Sequence, residues 1–538
     1  ARGITKIILP YSEKNPQYTD GKKVLDEAGV AHLIVNKDNL VIQEKEAKCL
    51  ALHLNIFTQE QLLSASFAAG GEGQTALDAI NAVSLVSLRD KAGTFIGARM
   101  GRPEKAKMRE MTGSPQVMFP VGEEGDRLRS FQSALLAGKI NSTFPLFYCI
   151  ACATETIYAK CERCGGECVK KYYCRVCGNL DTDTCRHGKA VSYKNKEIDI
   201  NHYFLSAKEF VGMKTHPDLI KGIRGTSNKG HIVEHLAKGL LRAKHGIYVN
   251  KEGTTRYDCT ELPLTHFKAK EIKTSVAKLK ELGYVSDIYG KELIDDNQVM
   301  ELKVQDVVLP GYDSLDESAP KVLSRVAQFV DDLLIRFYKL EPYYNITKQE
   351  DLVGHLIIGL APHISAGLVG RIIGFSDTQG MICHPMFHAG LRRDCDGDEA
   401  AFLLLMDALL NFSRKFLPDT RGSTMDAALV LTGLLNPTEV DDQVHGVDIV
   451  WRYPLEFYEA ALELKNPWDV RYGAEQKKIE QISDRLGTPG QYEGFGFTHP
   501  TDNFNKGVNC SAYKTEPSMA DKLTGQMEIA RKVRAVDM

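Results

Sequence analysis

Short apolar runs separated by polar breaks divide this chain into regions that predict different secondary structures. From residue 1 to about 60, runs such as KIILPY and AHLIVN alternate with helical pieces, which predicts a small α/β unit. Residues 84–122 and 352–391 carry short β-like runs separated by glycine and proline. Runs bounded in this way are typical of buried strands. Residues 326–337 place apolar side chains at helical spacing, and residues 441–538 are predicted to be mainly helical.

Chain length, net charge and hydropathy exclude some classes of protein but do not identify this one. A chain of 538 residues is too long for one core, so roughly three or four domains are expected. The net charge of -3 argues against a uniformly basic nucleic-acid coat, although a locally basic groove remains compatible with it. The sequence lacks an uninterrupted apolar stretch of about 18 residues, so we expect no membrane span.

Three aspartates stand at alternate positions in the segment RRDCDGDEAAFLLL: Asp394, Asp396 and Asp398. The apolar run that follows, residues 400–410, is predicted to form a buried helix. Gly397 tolerates the backbone angles of a tight turn that would draw the three carboxylates together. Hard anionic oxygens at this spacing match Mg²⁺, so we expect a magnesium site suited to phosphoryl or nucleotidyl transfer.

Two simpler roles fit the acidic cluster less well. An EF-hand loop counted from Asp394 needs glycine at its sixth position and glutamate at its twelfth, where Glu399 and Leu405 stand, so it is excluded. A solvated acidic helix N-terminus could account for Asp398 or Glu399, but hardly for three aspartates beside Arg392 and Arg393.

Basic side chains cluster in two places that could contact phosphates. Residues 97–109 carry five of them: Arg99, Arg102, Lys105, Lys107 and Arg109. Residues 211–256 carry nine Lys or Arg against three Asp or Glu, and the candidates for DNA binding are Arg224, Lys229, Arg242 and Lys244, together with Arg392 and Arg393. A solvated turn or helix face is the alternative for each of these residues.

Eight of the thirteen cysteines lie between Cys149 and Cys185, which favours metal thiolates in a reducing compartment over disulfides. One four-thiolate pattern predicts a structural zinc ribbon: Cys149, Cys152, Cys161 and Cys164. A second site begins with Cys174 and Cys177 and takes Cys185 as its third ligand. His187 is assigned as the fourth ligand, with Cys168 as an alternative that stands closer to the first site. For His384 and His388, a packing role is favoured over a zinc site.

Six segments together closely resemble the large, catalytic subunit of archaeal family D DNA polymerase: GTFIGARMGRPEKAK, FPVGEEG, IKGIRGTSNK, PLTHFKAKEI, CDGDE and LLNFSRKFLPDTRG. That subunit is longer at both ends, so we expect this chain to correspond to its catalytic core. The resemblance implies a mixed α/β multidomain fold whose catalytic centre lies between two double-psi β-barrels. It also implies that Lys105 and Lys107 contact the incoming nucleotide, while Asp394, Asp396 and Asp398 hold catalytic Mg²⁺.

The resemblance fixes the expected domains: a small α/β unit at 1–75, a first barrel at 76–145, two zinc ribbons at 146–190, a DNA-contacting connector at 191–345 that partly completes the first barrel, a second barrel at 346–440, and a helical clamp-like region at 441–538. The expected partners are primer-template DNA and deoxynucleotides, a small subunit bearing a proofreading exonuclease, and a sliding clamp. A cytoplasmic, nucleoid-associated location in an archaeon is implied.

One departure affects the motif itself. The family is expected to read N-C-D-G-D-E, whereas this chain has Asp394 at the first position, as multisubunit RNA polymerases do. Metal binding should survive, but the metal preference could differ. Two competing hypotheses follow, an RNA polymerase of the same barrel type and a non-catalytic zinc-ribbon scaffold that binds DNA.

Overall fold

The computed structural model describes residues 4–12, 14–27, 30–58, 60–61, 75–88, 113–313, 317–362, 364–395, 397–419, 429–496, 503–506, 509 and 518–532. The chain divides into two units. The first comprises Ala1–Met100, Tyr453–Ile479 and Pro517–Met538, and the second comprises Gly101–Arg452 and Glu480–Glu516. The cysteine clusters and the aspartate motif both belong to the second unit. The predicted regions 76–145 and 441–538 are each divided between the two units.

The α-helices of the described residues are α1 (Pro16–Glu27), α2 (Glu44–Leu54), α3 (Ala76–Val83), α4 (Phe131–Ala137), α5 (Ile200–Phe210), α6 (Leu236–Lys244), α7 (Val276–Glu281), α8 (Ala319–Asp332), α9 (Pro385–Gly390), α10 (Leu405–Asn411), α11 (Leu455–Leu462) and α12 (Met519–Lys532).

The strands in the same residues are β1 (Lys6–Pro10), β2 (Leu33–Val35), β3 (Asn39–Gln43), β4 (Lys139–Pro145), β5 (Phe147–Cys149), β6 (Thr154–Thr156), β7 (Cys168–Lys170), β8 (Tyr172–Cys174), β9 (Gly178–Leu180), β10 (Thr184–Cys185), β11 (Gly188–Lys189), β12 (Tyr193–Asp199), β13 (Tyr257–Pro263), β14 (His266–Lys268), β15 (Val299–Glu301), β16 (Asp306–Pro310), β17 (Leu356–Leu360), β18 (Ala366–Ser376), β19 (Gly380–Cys383), β20 (Glu399–Leu404), β21 (Val430–Thr432), β22 (Asp448–Ile449) and β23 (Glu480–Gln481).

The first unit contains a small antiparallel sheet of strand order β1-β3-β2. Alternate residues of β3 turn inward, so Leu40 and Ile42 are buried. Helix α2 packs on this sheet and buries Ala47 and Ala51. Strands and helices therefore alternate here as the apolar pattern from residue 1 to about 60 predicts.

The second unit is built around a closed barrel of six strands in the order β16-β19-β13-β20-β17-β18. Parallel pairing of β16 with the later residues of β18 closes the barrel, and β21 pairs with the first residues of β18. Both parallel and antiparallel pairs occur, since β13 runs parallel to β19 and antiparallel to β20. The fold is therefore mixed α/β with a closed six-stranded barrel.

One predicted element is wrong in the barrel. The apolar run 400–410 predicts a buried helix, but its first half is strand β20 and only the second half is helix α10. β20 pairs with β13 on one side and β17 on the other, and its side chains from Ala400 to Leu404 are all buried. A strand with neighbours on both edges and apolar groups on both faces shows no alternation, so its sequence resembles a buried helix.

Close packing inside the barrel accounts for part of its glycine content. Gly374 lies on β18, and a Cβ added there would stand 2.4 Å from the carbonyl oxygen of Ile272. The strand can approach its neighbour only without a side chain at this position. Nearby, the Phe402 ring stacks on Tyr257 with ring centroids 5.1 Å apart.

Helix α8 confirms the helical spacing of residues 326–337. Its buried side chains include Val326, Phe329 and Val330, and the helix continues into a π-helical turn at Leu333–Tyr338. Each of these buried side chains faces the apolar core that runs through the second unit.

A second group of elements packs beside the barrel in the same unit. β4 pairs with β12, and the rings of Phe119, Phe131 and Phe144 pack together with centroid separations of 6.0 Å. The strands predicted for residues 84–122 are absent from the described parts of that range. Residues 113–122 form turns and one bridge between Pro120 and Ile223.

The described part of residues 441–538 is less helical than predicted. It contains helices α11 and α12, several short 3₁₀ turns and the small β22–β23 pair. Many of its apolar residues are spaced by glycine and proline, which favour turns over long helices. None of the helices that the structure describes is long and apolar enough to cross a membrane.

Candidate active site and cysteine clusters

The predicted metal-binding aspartates lie in a short loop that leads into β20. Helix α9 ends at Gly390, and the Arg393 amide then donates to the carbonyl of His388 over 3.2 Å. At the other end of the loop, the Glu261 amide of strand β13 donates to the carbonyl of Asp398 over 2.9 Å. The loop is therefore fastened to α9 at one end and to a barrel strand at the other.

A hydrogen bond within the loop joins two of the residues predicted to bind the metal. Gly397 has φ +101°, the positive value that the predicted tight turn requires. The Asp394 amide donates to Oδ2 of Asp398 over 3.3 Å, and the Asp398 side chain is buried. Asp396 lies outside the described residues. The contact joins the backbone of Asp394 to the carboxylate of Asp398, an oxygen donor of the kind that Mg²⁺ prefers.

A buried acid–histidine pair lies directly behind the loop. Nδ1 of His388 lies 2.8 Å from Oε2 of Glu261, and both side chains are completely buried. The other ring nitrogen, Nε2, lies 3.2 Å from the carbonyl oxygen of Leu262. In the sequence, Glu261 stands out only as an acidic residue within the segment that forms strand β13. That position does not show that its partner is His388.

A cavity of about 600 Å³ lies beside the barrel in the second unit. Its walls include Gly113 and Pro115 from the first predicted β-rich segment, and Pro362, Ser365 and Phe416 from the second segment and the chain that follows it. Residues from both segments therefore line one cavity, although they are far apart in sequence. Three basic side chains and one acidic side chain also line it: Arg129, Lys251, Arg256 and Glu252.

Arg256 holds one wall of this cavity in place. Its Nε lies 2.8 Å from Oε1 of Glu252, and its Nη1 donates to the carbonyl of Ile364 over 2.7 Å and to that of Pro362 over 3.2 Å. The guanidinium is largely buried and its donors are engaged by the protein. We therefore infer that Arg256 has a structural role in the cavity wall. Its neighbours in sequence do not indicate this role.

Polar contacts attach the neighbouring segment to helix α10. Lys238 donates from Nζ to the Leu410 carbonyl over 3.1 Å, and the Thr255 amide donates to Oδ2 of Asp407 over 2.9 Å. Asn411 donates to the other oxygen of Asp407 over 2.8 Å. Burial raises the pKa of Asp407 above its ordinary value despite these donors.

Most described residues assigned to DNA contact are at least partly accessible. Arg224 is 57% exposed and pairs with Glu123 over 3.2 Å, and Lys229 is exposed. Lys244 is partly exposed and contacts Asp332. Arg392 is exposed and Arg393 is half-buried. The remaining candidates, Arg99, Arg102, Lys105 and Lys107, lie outside the described residues.

Arg242 is a correction to the DNA-contact set. Its side chain is completely buried, and its two terminal nitrogens lie 2.5 and 2.6 Å from the carboxylate oxygens of Glu234. Nη2 also donates to the Gly253 carbonyl over 3.2 Å. The position faces inward on α6, between the buried residues Leu241 and Ala243, so its guanidinium cannot reach a phosphate.

The first predicted zinc site is assembled by β5, β7 and the turns around them. The sulfur atoms of its four cysteines all lie within 4.8 Å of one another: Cys149, Cys152, Cys161 and Cys164. The Cys152 amide donates to Sγ of Cys149 over 3.4 Å, and this contact lowers the pKa of Cys149 to about 7. A thiolate is favoured there, as a metal ligand requires.

The second cluster brings Cys174, Cys177, Cys185 and His187 within the same 4.8 Å limit. Sγ of Cys177 lies 3.1 Å from Nδ1 of His187. Hydrogen bonds from the backbone, chiefly from the Cys177 amide, lower the pKa of Cys174 to about 7. Three sulfurs and one imidazole nitrogen form a donor set that suits a tetrahedral metal.

Cys168, the alternative fourth ligand, stands opposite Cys149 in the β5–β7 pair. It therefore belongs beside the first cluster, and it is not among the four residues of the second. Burial raises the pKa of Cys168 to about 12, and the pKa of Cys152 in the first cluster is also raised to about 12, so position and not pKa separates Cys168 from the second cluster.

Two family models match separate parts of the chain. The model described as DNA polymerase II large subunit DP2, central domain, matches residues 4–183, which contain the first cysteine cluster. The model described as DNA polymerase II large subunit DP2, catalytic domain, matches residues 212–522. The second match includes the six barrel strands and the aspartate loop.

Curated relatives give the same result over nearly the whole chain. The DNA polymerase II large subunit of Archaeoglobus fulgidus is 44% identical over 549 residues, which cover 99% of this chain and 46% of that relative. The large subunit of Nanoarchaeum equitans is 45% identical, with 86% of this chain and 40% of the relative covered. For Pyrococcus furiosus the identity is 46%, with 86% and 37% covered. The chain spans less than half the length of these relatives, and it belongs to the family of archaeal DNA polymerase II large subunits, the large subunits of family D DNA polymerase.

Proposed function

We propose that this chain is the catalytic core of a template-directed DNA polymerase that adds deoxynucleotides to a primer 3′ end. The observation that carries the proposal is the aspartate loop, fastened to a barrel strand in a chain of this family. Within that loop the amide of Asp394 donates to the carboxylate of Asp398, which supports a defined position for the Asp398 carboxylate at the barrel edge.

In the proposed reaction the primer 3′ oxygen attacks the α-phosphorus of the incoming nucleotide. A new P–O bond forms while the bond to pyrophosphate breaks. Asp394, Asp396 and Asp398 would hold Mg²⁺, and the two described carboxylates have the donor chemistry that this ion prefers. When bound, Mg²⁺ supplies charge neutralisation on the phosphates and activation of the attacking oxygen.

Lys105 and Lys107 are proposed to contact the phosphates of the incoming nucleotide. Their segment runs directly into Gly113, which lines the cavity of about 600 Å³ together with Ser365 and Phe416. We propose this cavity as part of the cleft in which primer, template and nucleotide meet. Arg224, Lys229, Lys244, Arg392 and Arg393 remain proposed DNA contacts, and so do Arg99 and Arg102.

We further propose that the closed six-stranded barrel is the second of two double-psi barrels, predicted at 346–440. Two of its strands, β13 and β16, come from 191–345, the region predicted to complete the first barrel. The barrel's mixture of parallel and antiparallel pairs supports the double-psi assignment, because a simple antiparallel meander would have none of the parallel pairs. The first barrel, predicted at 76–145, includes many residues outside the described set and stays a prediction.

We propose that each of the two cysteine clusters binds one zinc ion, which gives about two ions per chain. The support is chemical, since one cluster offers four sulfurs and the other offers three sulfurs and an imidazole nitrogen. Both donor sets are complete at four, so the sites would be structural and would not take part in the chemistry.

The proposed partners follow from the family. The relatives are named large subunits, which supports a small subunit as partner, and primer-template DNA as substrate. An exonuclease on that small subunit and a sliding clamp are further proposals. The cytoplasmic, nucleoid-associated location also stays a prediction.

Primer extension with matched deoxynucleotides or ribonucleotides tests the proposal on the 538-residue chain, with and without a small subunit. We expect Mg²⁺-dependent incorporation of deoxynucleotides that is lost in Asp398→Asn. The matched control is Asp296→Asn, which alters an exposed acid away from the loop and should leave the rate unchanged.

Two outcomes would replace the proposal. Preferential incorporation of ribonucleotides would support the RNA polymerase hypothesis, which Asp394 favours. DNA binding without incorporation of either nucleotide, even with the small subunit present, would support the non-catalytic scaffold.

A further inference from the structure

We infer that the buried pair of Glu261 and His388 is a positioning device that sets the shape of the aspartate loop. The inference rests on the proposed function, because it assumes that the loop binds the catalytic metal. Neither residue is proposed to touch the metal or the substrate. They act through the backbone of the residues that do.

The same two residues hold both ends of the loop. The His388 carbonyl accepts from the amide of Leu391 over 2.9 Å and from that of Arg393 over 3.2 Å, where the loop begins. Glu261 donates its amide to the carbonyl of Asp398 over 2.9 Å, where the loop ends. Because the side chains of Glu261 and His388 also meet, at 2.8 Å, the two anchor points are joined to each other behind the loop.

The side chains of Glu261 and His388 meet in a close polar contact. The carbonyl of Leu262 can only accept, so Nε2 of His388, which lies 3.2 Å from it, carries a hydrogen. The contact between Nδ1 of His388 and Oε2 of Glu261 is short but bent away from the axis of a linear hydrogen bond. Two buried polar groups therefore face each other at close range inside the protein.

Stability alone is a weak reason for such a pair. Removing one partner of a buried polar pair leaves the other uncompensated, whereas replacing both with apolar groups of similar size often leaves stability unchanged or higher. Met381, the cross-strand neighbour of Glu261 on β19, is buried, so the pair lies beside an apolar side chain. What an apolar replacement cannot supply is the polar bridge between the two anchor points.

The experiment measures Mn²⁺ binding by electron paramagnetic resonance and amide hydrogen exchange of residues 391–399, so neither readout depends on turnover. We expect Glu261→Ala and His388→Ala each to weaken Mn²⁺ binding at the loop by about tenfold or more, as loss of a residue behind the metal ligands typically does. Both should speed exchange of the loop amides. Their effects should not add, because each removes the same bridge.

Two further variants separate positioning from folding. Glu261→Gln should retain Mn²⁺ affinity within about threefold, since its amide keeps a polar group of the same size opposite Nδ1 of His388. The double variant Glu261→Leu/His388→Leu replaces the pair with apolar side chains and should fold even if the alanine variants do not. We expect it to unfold at a similar denaturant concentration to the parent but to bind Mn²⁺ as weakly as the alanine variants.

The matched control is the ion pair of Asp306 and Arg371 in the same barrel, whose Oδ2 and Nη2 atoms lie 2.8 Å apart. Asp306→Ala should destabilise the barrel and leave Mn²⁺ affinity at the loop unchanged. Parental Mn²⁺ affinity and loop exchange in the double leucine variant would overturn the inference. That result would leave the proposed function standing, whereas a parent chain that neither extends primers nor binds Mn²⁺ at the loop would overturn the function itself.

Discussion

Nδ1 of His187 lies 3.1 Å from Sγ of Cys177, and this contact places a histidine in the second cysteine cluster. The two residues come from different hairpins, β8–β9 and β10–β11, so a shared ligand would join hairpins that are each too small to bury a core. A metal supplies the stability that apolar packing cannot supply in a module of this size.

Replacing His187 should therefore remove one of the two proposed zinc ions. We expect His187→Ala to lower the zinc content from about two to about one per chain, while Cys168→Ala leaves it at about two. Elemental analysis of folded protein gives the count. Chelation of the parent should loosen residues 145–190, as hydrogen exchange would report. Loss of zinc in Cys168→Ala with full retention in His187→Ala would reverse the ligand assignment.

Changing Asp398 to asparagine should abolish primer extension and leave DNA binding nearly intact. The carboxylate charge is needed at the metal, whereas phosphate contacts elsewhere supply most of the affinity for DNA. Asp396→Asn is expected to behave in the same way. Extension at close to the parental rate in Mg²⁺ by either variant would mean that the metal assignment is wrong.

Lys105→Ala should lower the maximal incorporation rate by on the order of a hundredfold, the effect of losing one donor that stabilises transition-state charge. Affinity for primer-template should change little, because many other phosphate contacts remain. Single-turnover incorporation at saturating nucleotide, beside a DNA-binding titration, measures both quantities. Collapse of DNA affinity with an unchanged rate per bound complex would make Lys105 a groove residue.

Arg242→Ala should lower the free energy of unfolding by about 3–5 kcal/mol, because Glu234 would be left buried without its partner. The salt dependence of DNA binding should not change in protein that remains folded. Arg224→Ala is the matched control: its exposed pair with Glu123 contributes about 1 kcal/mol or less to stability, but the substitution should weaken DNA binding. Denaturant titrations and binding at two salt concentrations distinguish the two arginines.

His384 should make the protein less stable in acid. Burial lowers the pKa of His384 from 6.5 to about 3. The unfolded chain therefore binds a proton first as the pH falls, so this contribution to stability is complete above pH 6.5 and is lost between pH 6.5 and about 3. His384→Asn removes the titrating group and keeps a side chain able to accept from the Met386 amide. Urea midpoints should fall less between about pH 7.5 and about pH 5 in the variant, and an equal fall in both proteins would contradict the assignment.

The strands of the second β-rich segment and the turn at Gly397 can be predicted because their signals are local. Runs such as LIIGL and GMIC need only their own residues to mark them as buried strands, and only glycine readily adopts the backbone angle found at position 397. Motif resemblance connects the local signals to a family, and the similarity to archaeal DNA polymerase II large subunits confirms that family.

The errors arise where tertiary neighbours decide the outcome. The sequence of β20 predicts a helix because two strands that flank it, 257–263 and 356–360, allow apolar side chains on both of its faces. The basic residues around Arg242 in the sequence predict that it contacts DNA. In the structure its guanidinium instead pairs with Glu234, eight residues earlier. Glu261 gives no usable signal because its partner His388 is more than a hundred residues away. No local sequence pattern indicates a contact between residues so far apart in the chain.

Closure of the barrel by its latest strand has a consequence for synthesis of the protein. β13, β16, β17, β18 and β19 are all made before β20, which fills the gap between β13 and β17. Until residue 404 has left the ribosome, those two strands present open edges to solvent, where unpaired edges invite association with other chains. The segment that seals the barrel is also the one that carries Asp398 into place against Glu261. An unfinished barrel is thus vulnerable to aggregation, and it also lacks the anchored aspartate loop on which the proposed activity depends.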